Sequence, residues 1–182
     1  MRVIGGTYRS RGLIAPRGLA TRPTSDRLRE TLFNVLAPRV EGVVFADLYA
    51  GTGAVGIEAL SRGARLVYFV DRAAPALAAI RANLAALEIQ SGFQIESASV
   101  SAALSRISES CAVIFLDPPY EAASDYAGTL ERIGQRADEL LTADGIVVAE
   151  HSRKRPLADS YGSLQRYRVL EQGDASLSFY GR

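Results

Sequence analysis

The chain has 182 residues, 48% hydrophobic and 23% charged, with a formal net charge of +1. That composition describes one globular domain long enough to bury a core, and it excludes disordered, collagenous and fibrous classes. No apolar run reaches the roughly 18 residues of a membrane span, no secretory signal follows Met1, and the single Cys111 can form neither an intrachain disulfide nor a Cys metal cluster; a cytoplasmic protein without membrane or metal is the expectation.

Residues 1–23 are punctuated by Gly, Arg and Pro, with apolar pairs at Val3-Ile4 and Leu13-Ile14. This predicts two short strands joined by an exposed Arg-rich connection. Thr24 or Ser25 starts a helix with Asp26 in its first turn and Leu28, Leu32, Val35 and Leu36 at helical spacing. Pro38 and Gly42 end it. Strands and helices then alternate: strand 43–47, helix 54–62, strand 66–70, helix 75–87, strand 93–95, helix 99–107, strand 112–116, helix 124–141 and strand 145–150, with a closing hairpin of 164–171 and 175–180. The chain thus divides into an arm, 1–23, and a body, 24–182. Alternation of this kind predicts an α/β fold with a parallel sheet and right-handed crossovers. Ligands bind such sheets at the carboxyl ends of the strands. Asp47, Asp71 and Asp117 each end a strand and so share one rim.

The small net charge conceals an asymmetry. Residues 1–39 hold eight Arg against Asp26 and Glu30, a balance of +6, while the remaining 143 residues carry −5. A basic end on a mildly acidic body fits a polyanionic partner, although a solvated basic face is the plainer reading. Twenty of the 21 basic residues are Arg, whose fork suits phosphates and base edges.

Residues 47–56 read Asp-Leu-Tyr-Ala-Gly-Thr-Gly-Ala-Val-Gly. Gly51, Gly53 and Gly56 match the dinucleotide pattern, with Asp71 twenty residues past Gly51. A carboxylate at Asp47, however, would repel a pyrophosphate seated on the following helix. It suits a cationic ligand, and S-adenosylmethionine carries a sulfonium and an ammonium but no phosphate. Glycines admit close backbone approach, and Asp71 is placed to accept from ribose hydroxyls. A tight turn without a ligand is the alternative.

Asp117-Pro118-Pro119-Tyr120 follows an apolar strand. Two prolines remove two backbone donors and stiffen the corner. The Asp117 carboxylate and the Pro118 carbonyl can hold both N–H bonds of an exocyclic amine, favouring its pyramidal form and the positive charge that develops. Tyr120 can stack on the base. Direct displacement of a methyl group by the amine then depends on proximity and alignment.

The glycine loop and this corner together resemble the class I S-adenosylmethionine-dependent methyltransferases that modify amines. Met1-Arg2-Val3-Ile4-Gly5-Gly6 and the segment from Arg22-Pro23-Thr24-Ser25 to Phe33-Asn34 resemble the RsmD family of bacterial 16S rRNA guanine-N2 methyltransferases. The resemblance implies a Rossmann-like, seven-stranded, mostly parallel sheet of order 3-2-1-4-5-7-6 with an N-terminal β-hairpin. It implies 16S rRNA in the assembled or nearly assembled 30S subunit as partner, S-adenosylmethionine as cofactor, and a monomer without metal. It puts Asp47, Tyr49, Ala50, Gly51, Thr52, Gly53, Asp71, Arg72, Ser99 and Asp117 at the cofactor, together with Arg29 and Phe33, whose segment leads into the site. Ser99 stands where many relatives carry Asp or Asn toward the adenine. Asp117, Pro118, Pro119 and Tyr120 would hold the target amine, and Arg2, Arg9, Arg11, Arg17, Arg22 and Arg27 the RNA.

Two other readings stay open on sequence: a DNA amino-methyltransferase using the same corner, and a nicotinamide-dependent oxidoreductase. His151, the sole His, reads as structural, and Cys111 as a small core residue. Tyr8 could stack on RNA.

Overall fold

The computed structural model describes residues 1–15, 25–118 and 123–182. Helix α1 (Asp26–Leu36) begins where the Ser25 hydroxyl accepts from Leu28 N–H, an N-cap with Asp26 in the first turn. It buries Leu28, Leu32, Phe33 and Leu36 and ends in a 3-10 turn, Ala37–Arg39, opened by Pro38. The parallel strands follow: β1 (Val44–Leu48), β2 (Leu66–Asp71), β3 (Phe93–Ser97), β4 (Cys111–Leu116) and β5 (Leu141–Ser152). Helices α2 (Ala54–Ser61), α3 (Ala74–Ala86) and α4 (Val100–Leu104) form the first three crossovers, and α5 (Ala123–Gln135) and α6 (Ala137–Leu140) the fourth. A two-residue β6 (Ser160–Tyr161), β7 (Leu164–Gln172) and β8 (Ala175–Gly181) complete the described elements.

The sheet order is β3-β2-β1-β4-β5-β8-β7-β6, parallel through β5 and antiparallel beyond. This is the expected order 3-2-1-4-5-7-6 with one small strand added at the far edge. Two apolar layers cover the sheet. One joins α1, α2 and α3 to Phe45, Val67, Phe69 and Phe115; the other joins α4, α5 and α6 to Ala46, Leu48, Tyr68 and Ile114. Successive strand residues alternate between layers, so the central strands carry apolar side chains throughout. β3 lies at the edge and is only partly buried.

The expected helix 124–141 is two helices. Gly134 packs so tightly on Tyr161 that a Cβ there would stand 2.0 Å from the Tyr161 carbonyl oxygen. Arg136 leaves the helical region at φ −121 and pairs with Glu139 at 2.7 Å. The last residue of the expected helix, together with the loop that follows it, instead extends β5, whose register with β4 shifts between Cys111 and Val113.

Among the described residues the arm's two strands reduce to one bridge, Arg2 with Gly12. The chain still folds back, with Val3 N–H on Arg11 O at 2.9 Å and Leu13 N–H on Met1 O at 3.1 Å. Val3 and Leu13 enter the first apolar layer. Glu58 of α2 is fully buried and anchors this segment: its carboxylate accepts from Ile4 N–H at 2.7 Å, Gly5 N–H at 2.8 Å and Arg62 Nε at 2.8 Å. Gly6 (φ +75) passes so close to α2 that a Cβ would sit 1.7 Å from Ser61 O. Removing the Glu58 carboxylate strands two backbone donors and takes an ion-pair partner from Arg62 and from the buried Arg29. Glu58→Ala is therefore expected to lower unfolding free energy by about 3 kcal/mol in urea denaturation, and to raise amide exchange at Ile4 and Gly5.

Candidate active site

A cavity of about 530 Å³ opens at the carboxyl ends of β1, β2, β3 and β4, within the size range of small-molecule sites. Its walls include Tyr49, Gly51, Asp71, Arg72, Ser99 and Asp117. Six of the residues expected from sequence thus converge on one space.

The turn from β1 into α2 shapes the floor. Tyr49 leaves the strand at φ +62, unusual for a bulky residue, and its hydroxyl meets Thr129 Oγ1 at 2.9 Å across the cavity. Gly51 (φ +55) and Gly53 (φ +76) complete the reversal; Gly53 precedes α2 in the left-handed region that glycine adopts freely. A Cβ at Gly56 would stand 2.3 Å from Phe69 Cε1, so the third glycine serves helix-to-strand packing.

The acids divide their work. Asp71 accepts from Gly51 N–H and Ala73 N–H, both at 2.9 Å, bracing the turn while facing the cavity. Asp47 departs from expectation. It is 2% exposed and does not line the cavity. Alternation along β1 turns it under α2, where it accepts from Gly56 N–H at 2.8 Å. Burial pushes its carboxyl up to about 8, against the lowering effect of that hydrogen bond, and the neighbouring Asp71 adds to the rise.

Arg29 and Phe33, also expected at the cofactor, lie in the core. Both are fully buried and neither lines the cavity. Arg29 is held by Asp26 at 2.9 Å and by the Arg2 carbonyl, and Phe33 stacks on Phe45 beneath the Arg62 guanidinium. Ala50 and Thr52 are buried behind the turn: Ala50 N–H donates to Val70 O at 2.9 Å, and Thr52 O accepts from Asn83 Nδ2 at 3.0 Å. Gly53 stands behind it too, its N–H on Ala50 O at 2.7 Å.

Ser99 caps α4, accepting from Ala102 N–H at 3.3 Å, and keeps its O–H as a donor at the cavity wall. Small and apolar residues, Ala73, Ala76, Ala98, Val100 and Leu104, line the adjoining wall, a surface suited to an apolar ring.

Asp117 lies at the end of β4 on the cavity wall, and Pro118 behind it is buried. The Pro118 carbonyl already has one partner: it accepts from Tyr126 Oη at 3.1 Å, and the same hydroxyl reaches Glu150 O at 2.8 Å. A carbonyl has two lone pairs, so this contact fixes the corner and leaves acceptor capacity. Pro119 and Tyr120 lie outside the described residues. Sequence reasoning missed Tyr126 and the wall of α5, where Asp125, Thr129 and Arg132 recur at helical spacing and face the cavity; that spacing was the available signal.

Arg2, Arg9, Arg11 and Arg27 are positioned by the described residues, Arg2 and Arg9 in the arm and Arg27 in α1. Arg2 lies 3.8 Å from Asp26, and Arg11 donates to Ala86 O at 2.9 Å. Arg17 and Arg22 lie outside the described residues. Tyr8 is half-buried against the core. Cys111 is buried at the start of β4, its thiol pushed up to about 12 chiefly by burial. Among the described residues no helix is long and apolar enough to cross a membrane, and no group of three or more His, Cys, Asp or Glu could hold a metal ion.

Because the folded state raises the Asp47 pKa, the acid's stabilising contribution is complete below about 4 and is lost as pH rises through about 8. Asp47→Asn keeps an acceptor for Gly56 N–H without a titrating proton. The melting temperature of Asp47→Asn relative to the parent is expected to climb between pH 4 and pH 8 and to level off above; a constant difference would refute a protonated Asp47.

The family described as conserved hypothetical protein 95 matches residues 1–181. YlbH of Bacillus subtilis is 37% identical over 185 residues, spanning 99% of this chain and 98% of its own. Ribosomal RNA small subunit methyltransferase D of Escherichia coli K12 is 34% identical over 174 residues, 94% of this chain and 86% of its own. Among solved structures, yhhF from Escherichia coli superposes with a TM-score of 0.85 at 26% identity, covering 99% and 96% of the two chains, and a hypothetical protein of Thermus thermophilus with 0.80 at 27%, covering 98% of each. The chain belongs to the conserved hypothetical protein 95 family, to which this rRNA methyltransferase D relationship ties it as an RsmD-type protein.

Proposed function

We propose that this protein methylates the exocyclic N2 amine of a guanine in small-subunit rRNA, using S-adenosylmethionine. The observation that carries the reading is the convergence of Gly51, Asp71, Ser99 and Asp117 on one rim cavity. The relative named ribosomal RNA small subunit methyltransferase D supports the rRNA substrate. The amine follows from the resemblance of the Asp117 corner, and the guanine from the resemblance of residues 1–6 and 22–34 to the RsmD family.

The cavity fits the cofactor by its chemistry. The Asp71 carboxylate suits ribose hydroxyls, the Ser99 hydroxyl and the apolar surface beside it suit an adenine, and the turn at Gly51 admits the backbone of a methionyl chain. Tyr49 and Arg72 complete that wall. When bound, S-adenosylmethionine supplies an electrophilic methyl group on a sulfonium.

The chain's own residues hold the acceptor. Asp117 takes one N–H of the amine and the remaining lone pair of Pro118 O the other, so that the nitrogen lone pair is exposed for attack. As the nitrogen gains positive charge, both contacts strengthen, and the Asp117 carboxylate that already accepts from the amine can receive its proton. Tyr126 keeps the Pro118 carbonyl in place throughout. No protein nucleophile is needed, and the buried Cys111 is inert at neutral pH.

The Asp117→Ala variant is expected to reduce methyl transfer at least a hundredfold while S-adenosylhomocysteine affinity, read by calorimetry, changes less than about threefold. Tyr126→Phe should cost several-fold in turnover with cofactor affinity kept. Transfer of labelled methyl to 30S particles, free 16S rRNA and DNA tests the substrate class. Label in rRNA at guanine N2 is expected; label confined to DNA would establish the DNA amino-methyltransferase instead.

A further inference from the structure

Beyond β5, on the same rim as the cavity, stand three consecutive exposed cations, Arg153, Lys154 and Arg155. They interrupt a body whose residues past position 39 carry −5 in total. The turn that bears them is anchored at both ends. Arg153 N–H donates to Asp174 O and Arg155 N–H to Ser152 O, both at 2.9 Å, and Lys154 N–H reaches Ser152 Oγ at 3.3 Å.

Beneath the turn lies His151, 3% exposed. Its Nδ1 is 3.0 Å from Ser152 O and 3.2 Å from Arg155 O, and its Nε2 is 2.9 Å from Ser178 Oγ. Burial holds its pKa below the ordinary value. Facing two carbonyls, Nδ1 carries the proton of the neutral ring, and Nε2 accepts from the Ser178 hydroxyl. The ring thus pins the first and last carbonyls of the turn to β8. A solvated run of charge needs no such buried support.

The position is specific. Sheet order places β4, with Asp117 at its end, between β1 and β5. The arm docks on the β1 side: Met1 Sδ lies 3.8 Å from Thr52 Oγ1, and Ile14 N–H donates to Asn83 Oδ1 at 2.6 Å. The cationic turn stands on the β5 side, three residues past Glu150, whose carbonyl shares the Tyr126 hydroxyl with Pro118. At about 5 Å per strand, β1 and β5 are about 10 Å apart, so the cationic turn and the Met1 end of the arm stand on opposite sides of the acceptor corner.

We propose that the Arg153–Lys154–Arg155 turn, supported by His151, grips backbone phosphates of the RNA substrate on the side of the acceptor corner opposite the arm. This rests on the RNA reading above and adds a second contact surface to it. Such contacts set the register and orientation of the strand and carry no base choice. The 3.9 Å approach of Arg153 to Glu171 is between two exposed side chains, a weak pair that yields readily to a phosphate. With two separated grips, a strand crossing the rim is held on both flanks of the base delivered to Asp117.

The test uses the full chain, transcribed 16S rRNA and a salt series. Substituting all three cations with Gln (Arg153→Gln, Lys154→Gln, Arg155→Gln) is expected to weaken RNA binding at least tenfold and to reduce the slope of log K against log salt by about 2 to 3, with S-adenosylhomocysteine affinity unchanged. His151→Gln keeps the cations and removes their support; it should weaken RNA binding while cofactor affinity is kept. A parent protein that binds the transcript, with the triple variant matching its affinity and slope, overturns the proposal and leaves the rRNA reading standing. A parent protein that neither binds the transcript nor labels any RNA overturns both.

Discussion

The cavity depends on backbone amides being held by the carboxyl groups of two aspartates. The chain must leave β1, reverse through Tyr49 to Gly53 and enter α2 within a few residues, and the Gly51 and Gly56 N–H groups on that path are taken by side chains. Asp71 from β2 takes Gly51 N–H, and Asp47 from β1 takes Gly56 N–H. Each side chain ties the turn to a central strand. Without them the wall facing Asp117 would lose its shape, because buried unpaired amides are costly and the loop would rearrange to satisfy them.

The same device recurs further along α2. Glu58 receives two amides of the arm and two guanidiniums, so the arm is docked on the helix that the glycine loop begins. Asn83 of α3 extends the connection, bonding to both Ile14 and Thr52. Arm, loop and two helices are therefore joined by one polar network beside an apolar core. Such networks specify an arrangement strongly when their members are paired.

Much of the fold was legible in the residues. Continuous apolar runs between Gly and Pro marked β1, β2 and β4, and helical spacing marked α1 to within a residue or two. The weaker readings came where local pattern competes with tertiary contact. The helix expected over 124–141 breaks at Arg136 because Gly134 is pressed against Tyr161, a residue some thirty positions later. The arm's strands shorten to one bridge because its amides are taken by Glu58 and Ser61 rather than by a partner strand.

For the site, sequence alone determined that Asp47, Asp71 and Asp117 end parallel strands and that a glycine turn follows the first, because strand ends and tight turns are set by local chemistry. Only the tertiary structure decided which of those acids faces the cavity. That depends on which side of the sheet a side chain takes and what packs over it: α2 covers Asp47, while Asp71 stays at the opening. It likewise put Arg29 and Phe33 in the core, made the Pro118 carbonyl a partner of Tyr126, and set β5, with the cations that follow it, beside β4. Those juxtapositions join residues far apart in the chain, and no local pattern encodes them.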